Sequence, residues 1–492
     1  MKQILINVEP YEKRVAITSG QSLEEFHVER MDIPRLAGNI YKGVIESVVP
    51  GIGAIFVDIG TGKNGFLYVE DMDEKMLQTL LQEEIVIEKK KEGARRPIER
   101  LKKGQEILVQ VVKEPIGTKG PLLTSEISLP GKYLVLMPFS STLGISKRIE
   151  DRQQRAKIKE CLEKMGAPDG AGFIARTQCV NANPRKLKLE FRHLSILWSR
   201  IQRRAGTIKP PGIVFEEYDL PLRMIRDCFD DEVEKILIDS KEEYRKVYRF
   251  ANSIQPELKR KIFFYKGKVP IYERYGVEER LEKMFHRKIY LKSGGHIVIE
   301  QTEGLVAIDV NTGKFKGKRN LEETVYKTNL EAATEIAKQT MIRDIGGIIV
   351  IDFIDMNERS HRRGVYETLE RAFRDDKAKI NILTISSIGL IEMTRQRIRK
   401  SPESFSFREC PYCNGRGRVK TPATIAIETV RKLGIILRDR PSRDVFVVIH
   451  PDVVEYMEKT FKDVFRSLER RFRKRIIIKS DHKLHVEDVH FE

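Results

Sequence analysis

The chain of 492 residues carries 90 lysines and arginines against 72 aspartates and glutamates, which gives a formal net charge of +18. A surplus of this size indicates a polyanionic partner. No apolar run approaches the roughly 20 residues that span a bilayer, so we expect nucleic acid rather than a membrane. The five cysteines are odd in number and mostly scattered, which argues against a disulfide framework and predicts a reducing, cytoplasmic location.

The chain opens with residues 1–35, in which apolar and polar residues alternate. The first apolar run is too short for a signal sequence, and we interpret it as a strand. The strands of this segment are too few to fold alone, so we expect them to pair with a later part of the chain.

From Gly38 the sequence is rich in glycine and in short alternating strands, which predicts a small twisted barrel. Aromatic residues recur there beside lysines; they are Tyr41, Phe56, Phe66 and Tyr68, with Lys42, Lys63 and Lys113. Rings on a strand face with lysines at its rim would stack bases and follow a phosphate backbone, as in an OB-fold. The alternative, that any one of these rings belongs to the barrel core, stays open.

Residues 184–211 are strongly basic, and their apolar positions are spaced for a helix that should end before Pro210. The simplest role for the apolar face of this helix is core packing. We expect Trp198 to pack there rather than to bind a ligand.

The stretch from Leu305 to Met356 contains two apolar, β-branched runs that end in Asp309 and Asp352. We interpret them as strands buried on both faces, joined by a helical spacer over 321–344. Carboxylates at neighbouring strand ends make a hard oxygen site that suits Mg²⁺ or Mn²⁺. Asn311 is two residues after Asp309 and should point to the same side. Alternatively, both aspartates are polar strand ends that meet helix caps.

A basic run follows, in which Arg395, Arg397 and Arg399 alternate with other residues. These arginines would clamp backbone phosphates near the metal. The alternative is a solvated helix end.

Cys410 and Cys413 belong to a CPxCxGxG turn, which is typical of half a zinc site. Zinc prefers four ligands and the chain has no second CxxC, so two chains would complete a shared Cys₄ site. A redox CxxC is the weaker interpretation, because we see no thioredoxin-like βαβ context after it.

The phrases AIDVNTGKFKGKRNLEET and GGIIVIDFIDM…HRR resemble the catalytic segments of the bacterial ribonuclease E/G family. The length, with no long tail, is more similar to G-type than to E-type members. The resemblance covers nearly the whole chain and implies an α/β multidomain fold. Its expected parts are a ribonuclease H-like subdomain (1–35 with 213–284), an inserted OB-fold S1-type RNA-binding domain (36–118), a 5′-sensor region (119–212), a DNase I-like catalytic subdomain (285–402), a zinc-link (403–420) and a small C-terminal α/β domain (421–492).

The resemblance also implies roles in catalysis. Asp309 and Asp352 would bind the catalytic Mg²⁺, which lowers the pKa of an attacking water, and Asn311 would support the attack. Asp355 is three residues beyond Asp352 and should face the other way on a strand, so we leave it out of the metal ligands.

For RNA binding, the resemblance implies that Phe56, Phe66 and Lys113 face RNA. It further implies a pocket for a 5′-monophosphate at Gly120, Thr124, Arg176, Thr177 and Lys379. The family often has arginine at the last position, and lysine keeps the charge but loses the planar fork. From pattern alone, Arg176 is an ordinary surface arginine.

The implied function is a Mg²⁺-dependent, single-strand-specific endoribonuclease in rRNA processing and mRNA decay. It would leave 5′-phosphate and 3′-hydroxyl ends and prefer 5′-monophosphorylated RNA. The implied assembly is a homodimer, possibly higher, with one zinc per two chains at Cys410 and Cys413. Two alternatives stay open: a non-catalytic RNA-binding protein, and a Mg²⁺-dependent phosphomonoesterase, which would leave the barrel unexplained.

Overall fold

A computed structural model describes residues 2–20, 22–32, 35–69, 101–115, 119–140, 143–146, 149–165, 171–228, 232–313, 321–374, 376–386, 388–397 and 402–492. Arg399, for which a phosphate contact is predicted, lies outside these residues. The chain divides into two compact units, Met1–Pro402 and Glu403–Glu492, which are described separately. No helix in the described ranges is long and apolar enough to cross a membrane.

The strands are, in chain order, β1 Lys2–Val8, β2 Glu12–Ser19, β3 Ser22–Arg30, β4 Ile40–Val49, β5 Ala54–Asp58, β6 Gly65–Tyr68, β7 Glu106–Lys113, β8 Leu122–Thr124, β9 Leu129–Pro130, β10 Leu134–Met137, β11 Leu143–Ile145, β12 Gly172–Ala175, β13 Gly212–Phe215, β14 Val233–Ile238, β15 Ile262–Phe264, β16 Lys288–Tyr290, β17 His296–Gln301, β18 Leu305–Asn311, β19 Gly347–Asp352, β20 Ile380–Ile382, β21 Leu390–Arg395, β22 Asp444–Ile449, β23 Arg475–Ser480 and β24 Val489–Phe491.

The helices are α1 Arg152–Met165, α2 Pro184–Thr207, α3 Leu220–Cys228, α4 Lys241–Ile254, α5 Ile271–Arg274, α6 Val277–Met284, α7 Leu321–Ile342, α8 Arg359–Ala372, α9 Pro402–Ser406, α10 Pro422–Asp439, α11 Pro451–Thr460 and α12 Lys462–Phe472.

The N-terminal strands belong to a five-stranded sheet of order β15-β14-β1-β2-β3, in which β1 runs parallel to β14. The expected pairing of residues 1–35 with a later segment is therefore observed. Both faces of β1 are covered, so Ile4, Leu5 and Ile6 are all buried. Buried Lys13 on β2 pairs with Asp219 and Glu243 at 2.6 Å each, which ties this sheet to the chain after the barrel.

The barrel is closed by five strands in the order β4-β5-β6-β8-β7, with a further pairing of β4 to β7. Its interior is aliphatic and includes Ile45, Ile55, Val57, Leu67 and Val109. Tyr41 is 5% exposed in this core, so for this ring the core interpretation is the right one. The strand β13 extends the sheet by pairing antiparallel with β4.

After the barrel, a four-stranded sheet of order β11-β12-β10-β9 packs against the basic helix α2. The Asn183 side chain accepts a hydrogen bond from the backbone N–H of Arg185, which caps the start of this helix. Leu187, Leu194 and Ile201 are buried. Trp198 packs edge-on against Phe139, with ring centroids 5.4 Å apart, so its predicted packing role is confirmed.

The sheet that carries Asp309 and Asp352 has the order β16-β17-β18-β19-β21-β20. One face packs on α7 and α8, where Ile308, Ile351, Ile336 and Val365 are buried together. The other face is open: along β18, buried residues alternate with exposed ones. The prediction of strands buried on both faces is thus wrong. An apolar run does not by itself show that both faces are covered, because outward-facing Leu305 and Ile348 stay 37% and 52% exposed on the open face.

The C-terminal unit contains a three-stranded sheet of order β23-β22-β24, with β22 parallel to β23 through α11 and α12. Helices α10 and α11 pack on it through Ile425, Leu433, Val453 and Met457. The turn with Cys410 and Cys413 precedes α10.

Candidate catalytic and RNA-binding sites

Asp309 and Asp352 lie directly opposite each other on the parallel neighbours β18 and β19. Residues opposite each other in a sheet point to the same face. Both aspartates are exposed, so they project from the open face of the sheet. Asn311 donates a hydrogen bond from Nδ2 to the Asp309 carboxylate at 2.7 Å, which fixes the orientation of that carboxylate.

The two carboxylates form a locally negative site. Partial burial raises the pKa of Asp352, and the negative charges of Asp309 and Asp355 raise it further. Asp355 lies beyond the end of β19, so the strand geometry on which we placed it away from Asp352 does not apply. Within the described ranges, no group of three His, Cys, Asp or Glu side chains is arranged to hold a metal.

The loop after β19 is held by helix α7. The buried Asn329 side chain donates to the carbonyl of Ile354 at 2.8 Å and accepts from its N–H at 3.2 Å. The Glu322 carboxylate accepts from the backbone N–H groups of Asn357 and Glu358. Helix α7 therefore fixes the position of the loop after β19 before any ligand binds.

The turn between β16 and β17 packs tightly against the end of β18. A Cβ atom at Gly295 would lie 2.7 Å from the carbonyl oxygen of Asn311, and one at Gly313 would lie 2.5 Å from that of Gly294. Glycine is needed here because backbone approaches backbone. The Glu331 carboxylate of α7 also accepts from the backbone N–H groups of this turn, so the turn is anchored on two sides.

On the barrel, Phe56, Phe66 and Lys113 lie in one row. Phe56 pairs with Phe66 across β5 and β6, Phe66 pairs with Leu122 on β8, and Leu122 pairs with Lys113 on β7. The rings of Phe56 and Phe66 meet edge-on at 5.4 Å, and exposed Tyr68 meets Phe66 at 4.6 Å. These rings lie outside the aliphatic core and form, with Lys113, a surface suited to bases and phosphates.

Arg176 and Thr177 follow strand β12 and are held from several directions. The Nη1 group of Arg176 donates to the carbonyl of Gly131 and to the Asp227 carboxylate, the latter at 2.8 Å. The Thr177 and Ser146 hydroxyl groups are 3.2 Å apart. Asp227 and Ser146 were not predicted, because they are far from Arg176 in sequence or carry no pattern of their own.

The other predicted members of this pocket come from different sheets. Thr124 ends β8, and its hydroxyl accepts the backbone N–H of Glu126. Gly120 precedes β8, where a Cβ would lie 1.9 Å from the carbonyl oxygen of Asn64. Exposed Lys379 lies next to β20, and its carbonyl accepts the N–H of Gln396.

Within the basic run near β21, Arg395 fits neither interpretation, whereas for exposed Arg397 the phosphate clamp stays a prediction. Arg395 is buried at the end of a strand, not on a helix, and pairs with Asp376 at 2.7 Å and Asp344 at 2.8 Å. It also donates to the carbonyl of Ile345. A guanidinium occupied in this way is structural and is not a phosphate clamp.

In the C-terminal unit, Cys410 is exposed and Cys413 half-buried in a tight turn. Backbone N–H groups of Cys413 and Tyr412, together with the Cys413 side chain, hold the pKa of the Cys410 thiol below its usual range. The Cys413 sulfur accepts the N–H of Gly417 at 3.3 Å. The turn thus presents two thiols, and no third ligand completes a metal-binding group within the described ranges.

Comparison with known proteins places these sites in a family. The model of the ribonuclease E/G family matches residues 128–398, and that of the S1 RNA binding domain matches residues 36–118. The ribonuclease G of Haemophilus influenzae is 40% identical over 455 residues, which cover 92% of this chain and 91% of that protein. The chain belongs to the ribonuclease E/G family.

Further relatives are consistent with this membership. The ribonuclease G of Escherichia coli K12 is 39% identical over 457 residues, which cover 93% of this chain and 92% of that one. The ribonuclease E of Haemophilus influenzae is 36% identical over 97% of this chain but only 50% of its own length. The protein is therefore an endoribonuclease with an S1 RNA-binding domain, which takes the place of the alternative of a non-catalytic RNA-binding protein.

The comparison corrects one expectation about the C-terminal unit. Residues 409–492 match a model described as the thioredoxin-like domain of ribonucleases E and G. The absence of a thioredoxin-like context was therefore not a valid reason to disfavour a redox CxxC. The relevant observation is instead that the Cys410–Cys413 turn lies before α10 and does not follow a strand of the sheet.

Proposed function

We propose that this endoribonuclease is Mg²⁺-dependent and single-strand-specific, that it acts in rRNA processing and mRNA decay in the cytoplasm, and that it leaves 5′-phosphate and 3′-hydroxyl ends. The observation that carries the proposal is the register pair Asp309–Asp352 on an open sheet face. We assign the sheet that contains this pair to a DNase I-like subdomain and the N-terminal sheet to a ribonuclease H-like subdomain. The remaining parts keep the boundaries given above.

The pair fits a hard divalent cation by the chemistry of its donors, two carboxylates with an amide beside them. The charges that raise the pKa of Asp352 repel one another, and a cation between Asp309 and Asp352 would relieve this repulsion. Mg²⁺ or Mn²⁺ bound there would polarise the scissile phosphate and acidify a water molecule. Asn311 holds the Asp309 carboxylate in a fixed orientation, and the open face gives an RNA strand room to approach.

The barrel row of Phe56, Phe66 and Lys113 would hold the single strand. The π-faces of the two rings would stack on bases and the ammonium would hold the phosphate backbone, with little dependence on sequence. A duplex has no free base faces to offer this surface, which supports the preference for single strands.

A preference for a 5′-monophosphate is supported by how Arg176 is held. Its described contacts use Nη1 only, which leaves Nε and Nη2 as a planar fork for two phosphate oxygens. Thr177 adds a hydroxyl beside it, and Gly120, Thr124 and Lys379 would line the rest. Lysine at position 379 has no planar guanidinium to bind two phosphate oxygens at once, so we expect only a modest preference for 5′-monophosphorylated RNA.

The decisive experiment is cleavage of a short single-stranded RNA labelled at its 3′ end, by the wild type and Asp309→Asn, in Mg²⁺ and in EDTA. We expect internal cuts that need both Mg²⁺ and Asp309. Cuts that persist in EDTA or in Asp309→Asn would overturn the assignment of the site. Release of inorganic phosphate in place of RNA fragments would favour the phosphomonoesterase.

We further propose a homodimer in which Cys410 and Cys413 of two chains share one Zn²⁺. The half-site character of the turn supports this, because zinc prefers four ligands. Metal analysis of the purified protein should give about half an equivalent of zinc per chain. A full equivalent would contradict sharing.

A further inference from the structure

Beside Asp309, the open face of the catalytic sheet carries an aromatic pair. Tyr290 on β16 lies opposite His296 on β17, and His296 lies opposite Asn311 on β18. Two residues away, Lys288 lies opposite Val298, which lies opposite Asp309. Because opposite residues share a face, as do residues two apart on one strand, Tyr290, His296 and Lys288 project on the same side as the catalytic carboxylates.

The exposure of these side chains supports that geometry. Tyr290 is 74% exposed, and His296 is half-buried beside it. The intervening residues Ile289 and Ile297 face the other way, and Ile297 is fully buried in the core formed with α7 and α8. The Tyr290 ring is thus held in solvent by strand β16, whose next residue inward, Ile289, packs on the core.

The group has the composition of a base-stacking site. The Tyr290 and His296 ring centroids are 6.1 Å apart, and the ammonium of Lys288 lies 5.2 Å from the Tyr290 centroid. An exposed ring with a cation beside it offers a π-face for a nucleobase and a positive charge for the neighbouring phosphate.

The position of the group is fixed relative to the carboxylates. The turn after Tyr290 is held by Glu331 of α7 and by the close glycine contacts with the end of β18 described above. From strand spacing and rise, Tyr290 lies about 12 Å from Asp309 along the sheet. A nucleotide a short way from the scissile phosphate would reach it.

We propose that Tyr290, flanked by His296 and Lys288, is a subsite that stacks one base of single-stranded RNA a short way from the cleaved bond. Stacking tolerates any base, so the subsite contributes affinity and register rather than sequence readout. This inference rests on the proposed position of cleavage at Asp309 and Asp352.

The test compares Tyr290→Ala, Tyr290→Phe and Tyr11→Ala for binding and cleavage of a single-stranded RNA. Tyr11 is a matched control, because it is 81% exposed in the turn between β1 and β2 of another sheet. We expect Tyr290→Ala to weaken binding and to raise KM about five- to tenfold, the lower end of the contribution of base stacking, with kcat little changed. Tyr290→Phe and Tyr11→Ala should remain within about twofold of the wild type.

A substrate series with one abasic nucleotide at each position separates stacking from a general loss. At one position near the cut, an abasic nucleotide should weaken RNA binding by the wild type. The same abasic RNA should bind to Tyr290→Ala as well as the intact RNA does. Equal losses at every position in the two proteins would overturn the subsite, as would a Tyr290→Phe defect as large as that of Tyr290→Ala. If Asp309→Asn still cleaves the RNA, the proposed catalytic site is wrong. The affinities of the abasic RNAs, measured without cleavage, still decide whether Tyr290 stacks a base.

Discussion

Replacing Asp227 with asparagine should reduce the discrimination between 5′-monophosphate and 5′-hydroxyl RNA without changing cleavage of the latter. The Asp227 carboxylate accepts hydrogen bonds from Arg176 at 2.8 Å and from Arg226 at 3.0 and 3.2 Å. Burial alone raises the pKa of Asp227, but the two guanidinium groups hold it below its usual range, so the carboxylate is ionised. Asparagine offers one acceptor oxygen and turns an N–H₂ group towards a cation.

The expected magnitude follows from exposure. A hydrogen bond to a charged group contributes about 1.5–3 kcal/mol when sheltered. The side chains of Arg176 and Asp227 are 35% and 28% exposed, so solvent screening reduces the effect to about 1 kcal/mol. If Arg176 must be oriented to bind the phosphate, the preference of Asp227→Asn for 5′-monophosphate over 5′-hydroxyl RNA should be about fivefold lower than that of the wild type.

The assay is the ratio of kcat/KM for two otherwise identical RNAs with either 5′ end, because effects common to both substrates cancel. Arg176→Ala should remove the preference, and Asp227→Glu should restore part of it. If Arg176→Ala lowers the ratio but Asp227→Asn does not, Asp227 does not orient the arginine. A higher ratio in Asp227→Asn would mean that the carboxylate competes with the phosphate, which contradicts the reasoning.

Three further predictions concern stability and assembly. Arg395→Ala should lower the free energy of unfolding by about 3–5 kcal/mol in urea titrations, because it removes the guanidinium that pairs with the buried carboxylates of Asp344 and Asp376. Exposed Arg397→Ala should change the free energy of unfolding by less than about 0.5 kcal/mol. Burial raises the pKa of Asp219, but hydrogen bonds from two lysines hold this pKa below its ordinary value of 3.8. The ionised Asp219 therefore stabilises the fold above pH 3.8, and this contribution is lost as the pH falls through the lowered pKa. Asp219→Asn should therefore flatten the acid limb of a stability-against-pH curve, and an unchanged limb would assign acid unfolding to other groups. Cys413→Ser should abolish zinc binding and convert dimers to monomers in light scattering, whereas Cys161→Ser should leave both unchanged.

The Asp309–Asp352 pair illustrates what sequence patterns can and cannot predict. Two apolar runs that each end in aspartate predict strand-terminal carboxylates, because strand period and β-branched composition are local properties. That Asp309 and Asp352 face each other depends on a register set by pairing across a helix of more than twenty residues. The open face also depends on packing, since only α7 and α8 decide which side of the sheet is covered.

The roles of Arg395 and Asp227 could not be predicted from the sequence. Alternating arginines look the same in sequence whether they bind phosphate or close a buried ion pair. Only the approach of Asp344 and Asp376 makes Arg395 structural. Asp227 lies 51 residues from Arg176 and has no motif, so its role is invisible until the chain folds.

The sequence by itself determined the basic charge, the family phrases, the barrel with its aromatic residues, the two strand-end aspartates and the CPxCxGxG turn, because each is carried by composition or short-range spacing. The tertiary structure decided which rings lie outside the barrel core, which arginines pair with buried carboxylates, and which face of the sheet with Asp309 and Asp352 stays open beside Tyr290. These outcomes depend on contacts between segments distant in the chain, and burial and charge pairing are settled only when those segments meet.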